Sequence, residues 1–195
     1  MKKVVGIVLA CLLAGSVSAQ GHRHQVHTGY GAFSTSNFLD AFARVLASGA
    51  SLMHYTSKNS SYSGIFQAGY KYEVARRLDL GATYSYGTGK SDAFYGGKYA
   101  GQFKNQYHTI SADADYRYVS WGRWALYASV GIGATIYRQQ YEPENTDKER
   151  DSDRIVHFNF QASPLAIKYG NRIGLFAEIG AGYRGLVQGG AFVRF

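Results

Sequence analysis

The chain has little proline and almost no cysteine, with two of the first and one of the second in 195 residues. The one cysteine, Cys11, falls within a leader expected to be removed, which excludes disulfides, cysteine metal centres and cysteine nucleophiles from the mature protein. After residue 19 no apolar run is long enough to cross a bilayer as a helix, which excludes a helical membrane protein. Lysine and arginine exceed the acids by eight, or by six without Lys2 and Lys3, yet they form no basic run, and nucleic acid is not an expected partner. Glycine (24) and tyrosine (17) are abundant instead, a composition suited to sheets with aromatic faces and close backbone contacts.

The opening "MKKVVGIVLACLLAGSVSAQ" has a charged start at Lys2 and Lys3, an apolar run from Val4 and a small-residue exit at Val17-Ser18-Ala19. That is the pattern of a signal peptide over residues 1–19, leaving 20–195 as one domain without linker or repeat. Reading Cys11 as a lipoprotein site would leave only residues 4–10 as the apolar region and strand a second apolar run beyond it.

Seven segments then alternate apolar with small or polar residues, the period of a strand. Residues 63–74 set Phe66, Ala68, Tyr70, Tyr72 and Val74 against Gln67, Gly69, Lys71 and Glu73. Residues 78–88 oppose Leu80, Ala82, Tyr84 and Tyr86 to Asp79, Gly81, Thr83 and Ser85, and residues 107–119 oppose Ile110, Ala112, Ala114, Tyr116 and Tyr118 to Asp113, Asp115 and Arg117. Segments 124–137, 155–168 and 172–182 follow the same rule. The closing strand puts Val187, Gly189, Ala191, Val193 and Phe195 on one face and Gln188, Gly190, Phe192 and Arg194 on the other. A weaker strand at 26–34 makes eight; if it is not a strand, 51–57 becomes the first.

Tight turns at 75–77, 120–123 and 169–171 alternate with long polar segments at 35–62, 89–106 and 138–154. The fold class expected is all-β, an eight-stranded antiparallel up-and-down transmembrane barrel. One short amphipathic helix is expected near 37–48, with Ser36 as N-cap and Gly49 as stop. Pro164 removes a ladder hydrogen bond and marks a bulge near the turn rim. Glycine crowds the polar faces, as a narrow lumen requires. Trp121, Trp124, Tyr70, Tyr72, Tyr116 and Tyr118 gather at strand ends as a membrane-interface girdle.

The stretches "GYKYEVARRLDLGATYSY", "ALYASVGIGATIY", "RIGLFAEIGAGYRG" and "GGAFVRF" resemble the small eight-stranded outer-membrane β-barrels of Gram-negative bacteria, the OmpA/OmpX type and especially those of Bacteroidetes. The resemblance covers roughly residues 60–195. It implies the outer membrane as location and contact with its lipid and lipopolysaccharide. It also implies a terminal signal, carried by Ala191, Val193 and Phe195, that the barrel-assembly machinery reads. It says more about fold than about function, because one such scaffold carries many activities.

In this fold Lys71, Glu73, Asp79, Asp113, Asp115, Arg117, Glu178 and Arg194 face a lumen only wide enough for side chains, where charges pair. The expected function is that of a structural or surface-binding protein acting through its long outer loops, as a monomer and without cofactor. Two alternatives stay open: a narrow porin-like ion channel along those charges, and a lipid A-modifying enzyme. The enzyme needs serine, histidine and acid together on the lipid face. His108 has Gln106, Ile110 and Ala112 as same-face neighbours and His157 points inward beside Asn159, so no triad assembles and catalysis is not expected. The acidic and basic loop at 141–154 matches no calcium-loop spacing. Arg76, Arg77, Arg123, Lys168 and Arg172 fall at tight turns, within reach of lipid phosphates. Cleavage after Ala19 would expose Gln20-Gly21-His22, whose amine, amides and imidazole suit square-planar Cu(II) or Ni(II), with His24 and His27 as extra ligands.

Overall fold

The computed structural model describes residues 23–32, 55–95, 98–143 and 152–195. Eight antiparallel strands close into a barrel in chain order: β1 (His24–Ala32), β2 (Tyr55–Ala75), β3 (Leu78–Tyr95), β4 (Lys98–Trp121), β5 (Trp124–Pro143), β6 (Ser152–Gly170), β7 (Ile173–Gly182) and β8 (Val187–Arg194). The ring closes by pairing β1 with β8, Gln25 opposite Arg194 and Ala32 opposite Val187. No helix occurs among the described residues. The helix expected at 37–48, the leader and His22 all lie outside them.

Alternation decides which way each side chain points, because successive residues of a strand face opposite sides of the wall. The result is inverted relative to a water-soluble core. Among the described residues, 21 polar or charged residues are buried against seven hydrophobic ones, while 25 large hydrophobic residues are exposed. Polar side chains fill the inside and apolar ones coat the outside.

The strands fall into two length classes. β1, β7 and β8 have 9, 10 and 8 residues, whereas β2 to β6 have 18 to 24. β1 pairs with β2 only up to Gly31 opposite Ile65, and β7 with β6 only up to Gly182 opposite Gln161. Beyond those points the described part of the wall continues as a five-stranded sheet, an overhang on one side of the barrel mouth.

A first strand near 26–34 is present as β1, and residues 55–57, the other candidate start, belong to β2, where Tyr55 lies opposite Tyr95. Two expectations about loops change. The segment 89–106 is strand on both arms, with only two residues between β3 and β4. Segment 138–154 is likewise strand at both ends. Both faces of the overhang carry polar residues, such as Lys104 and Gln106 outside and Asn105 inside, so an apolar alternation is missing where a strand nonetheless continues. Pro164 sits where the β6–β7 register slips between Ala162 and Leu165. Before the slip Phe158 and Phe160 point outward; after it Leu165 is outward while Ala166 and Lys168 turn inward.

Candidate functional site

The lumen is filled by three tiers of side chains. In the tier nearest the tight turns, the Asp115 carboxylate accepts two 2.7 Å bonds from Lys71 Nζ and one of 3.0 Å from Lys168 Nζ. Lys168 Nζ also lies 3.7 Å from Asp79 and 4.4 Å from the centroid of the Tyr127 ring. Arg117 reaches Glu73 at 3.3 Å and Asp79 at 3.4 Å, and Arg194 stands 3.9 Å from Asp79.

The middle tier is built on Glu178, which accepts 2.7 Å bonds from Tyr127 Oη and Gln188 Nε2. Gln188 Oε1 in turn accepts from Gln67 Nε2 at 2.7 Å. The third tier hangs from the β7–β8 turn, whose Tyr183 and Arg184 are buried at 2% and 1% exposure. Tyr183 Oη donates to Asp113 at 3.0 Å, and Arg184 Nη2 donates to Ser129 Oγ at 3.0 Å while lying 3.9 Å from Asp113. The backbone of that turn also fits the wall closely. A Cβ on Gly131 would collide with Asp113 Oδ1 and Tyr183 Oη, and one on Gly31 with the Arg184 carbonyl.

All eight charges expected in the lumen lie on its side of the wall, but they form two groups. Lys71, Glu73, Asp79, Asp115, Arg117 and Arg194 share the first tier, while Asp113 and Glu178 stand apart from it. Sequence reasoning missed two cations. Lys168, expected at a rim turn facing phosphates, is 5% exposed inside the lumen because the Pro164 bulge reverses its face. Arg184 lies in a turn, where no alternation points to a side. With both included, five acids face five bases, where the alternation alone gave five against three. The signal for Lys168 was the proline; for Arg184 there was none.

Outside, Tyr116 and Tyr118 pack edge-on at 6.1 Å and Tyr118 Oη donates to the Pro164 carbonyl. Trp124 packs on Tyr169 with centroids 4.5 Å apart, and Trp121 lies opposite Trp124. His24 fits between Tyr70, Tyr72 and Phe195, stacked on the last at 5.7 Å. These groups form an aromatic band at the turn end. Phe195 also exchanges two backbone hydrogen bonds with His24, extending the closing strand beyond Val193 and Ala191.

His24 and His27 point to opposite sides of β1, one among the outer aromatics and the other 4% exposed in the lumen. They are therefore not joint extra ligands for one metal ion, and no metal-ligating cluster occurs among the described residues. His108 Nδ1 lies 2.7 Å from Tyr84 Oη on the outer face, and His157 is exposed on β6. No protein-family model matches the chain, and no curated protein matches it either.

Proposed function

We propose that this protein is an integral outer-membrane barrel with a filled lumen, and that it acts as a structural or surface-binding protein through the overhanging sheet. The observation that carries the membrane reading is the inverted surface, with 25 large hydrophobic residues exposed around a polar interior. In water such a coat would cost about 25 cal/mol per Å2 of apolar surface left wet, whereas lipid solvates it.

The dimensions agree. A bilayer needs about 9–11 residues of tilted strand, and β1, β7 and β8 have 9, 10 and 8. On β4 the outward ladder from His108 to Tyr118 runs about 33 Å, or about 25 Å of height at a tilt of about 40°. Beyond it the outward residues turn polar, with Gln106 opposite Arg138 and Lys104 opposite Gln140. The extra length of β2 to β6 then stands in water as a rigid platform, the setting in which recognition surfaces are usually found.

A protein of this kind resists carbonate extraction and migrates faster on gels unheated than boiled. With no cysteine in the mature chain, a Lys104→Cys variant should react on intact cells with a membrane-impermeant maleimide, and Arg123→Cys only after the cells are opened. The reverse labelling, or release of a monomer into plain buffer, defeats the reading. Mass spectrometry of lipid A from cells with and without the protein separates binding from catalysis: the acyl pattern is expected to be unchanged, and a changed one transfers the function to lipid modification.

A further inference from the structure

We propose that the cleft between the β4–β5 and β6–β7 turns holds one anionic glycerophospholipid, its phosphate clamped by Arg123 and Arg172. The proposal rests on the membrane reading above, which places this end of the barrel at the inner leaflet. The cleft has a volume of about 390 Å3 and is lined by Arg123, Tyr169, Asn171, Arg172, Ile173 and Leu175 among others.

Its walls divide as a phospholipid does. Arg123 and Arg172 are exposed at the rim, a pair of planar donors suited to phosphate oxygens. Asn171 adds an amide to the lining beside them. Toward the belt, Ile173 and Leu175 are 74% and 63% exposed and offer a track for an acyl chain. Tyr169, packed on Trp124, walls the headgroup level with amphipathic rings.

The backbone holds the arginines in place. The Arg123 carbonyl accepts a 2.9 Å bond from Gly170 N, tying the two turns together, and the Arg172 carbonyl accepts one of 2.6 Å from Arg194 N. The charge is also one-sided. The residues lining the cleft include Arg123 and Arg172 and no acid, whereas the overhang mixes signs, as at Lys104 and Glu142. A zwitterionic headgroup returns a positive charge to a site already rich in it, so the site favours a net anionic lipid.

Native mass spectrometry of the whole mature barrel, released from nanodiscs of phosphatidylcholine doped with phosphatidylglycerol, tests this. One phosphatidylglycerol should be retained with at least about fivefold preference, and Arg123→Gln and Arg172→Gln should each lower that retention about fivefold. The pair Arg76→Gln with Arg77→Gln, at the other turn, should leave it in place. Equal retention of both lipids, equal loss from both sets of variants, or displacement by inorganic phosphate overturns the proposal. If the arginine variants lose the heat-modifiable form, the preference shown by the unaltered protein still decides. A chain that is folded and monomeric without detergent fails at the membrane reading instead; a detergent-dependent barrel without lipid preference fails only here.

Discussion

Two ion pairs of equal length stand at opposite ends of the wall. Lys71–Asp115 and Lys104–Glu142 both measure 2.7 Å, but the side chains of the first are 3% and 2% exposed and those of the second 38% each. The first is enclosed by all eight strands, the second rides on the overhang with water at hand. Geometry alone therefore does not rank them; enclosure does. Inside the ring, a charge that loses its partner has no solvent to turn to, which is why five acids and five bases are matched there. On the overhang the same contact only trims a surface.

The largest effect should come from breaking the enclosed pair. Asp115→Ala leaves Lys71 without its carboxylate and Lys168 with Asp79 alone, and should cost about 3–5 kcal/mol in urea unfolding followed by gel mobility in detergent. A loss under about 1 kcal/mol would make the two ends alike.

The filled lumen is tested next by conductance. The unaltered barrel should give no stable channel in a planar bilayer, whereas Tyr183→Ala with Arg184→Ala removes the third tier and should admit small steps. Large steps without any substitution would mean that the ring encloses a water path. The smallest effect belongs to Lys104→Ala, about 0.2–1 kcal/mol at most, fading as salt is raised. A larger, salt-independent loss would sharpen the view of the overhang into that of a second ordered core.

The contrast also explains what the sequence could disclose. Where one face of a strand is enclosed among polar groups and the other is an apolar outer face, period-two alternation is unavoidable, and residues such as Ile110, Asp113 and Phe192 could be assigned to a side directly. On the overhang that constraint lapses. Residues 89–106 look like a loop because neither face is apolar. Lys168, expected at a tight turn, belongs to the lumen for a different reason: the alternation of β6 does not run through Pro164, where one inserted residue reverses it. Tyr183 and Arg184 belong to a turn, and a turn has no period. Their burial depends on Gly31 and Gly131 leaving room, a relation between distant segments that no local pattern holds.

The seam between β1 and β8 has a mechanical consequence. It joins residues 25–32 to 187–194, while every other joint in the ring links strands adjacent in the chain. Closing so long a loop carries the greatest entropic cost of any pairing here, so hairpins form first and the seam last. Four of the residues in its eight opposed pairs, Gly29, Gly31, Gly189 and Gly190, contribute backbone alone. Opening at this joint would unroll the barrel as a sheet and leave each hairpin intact.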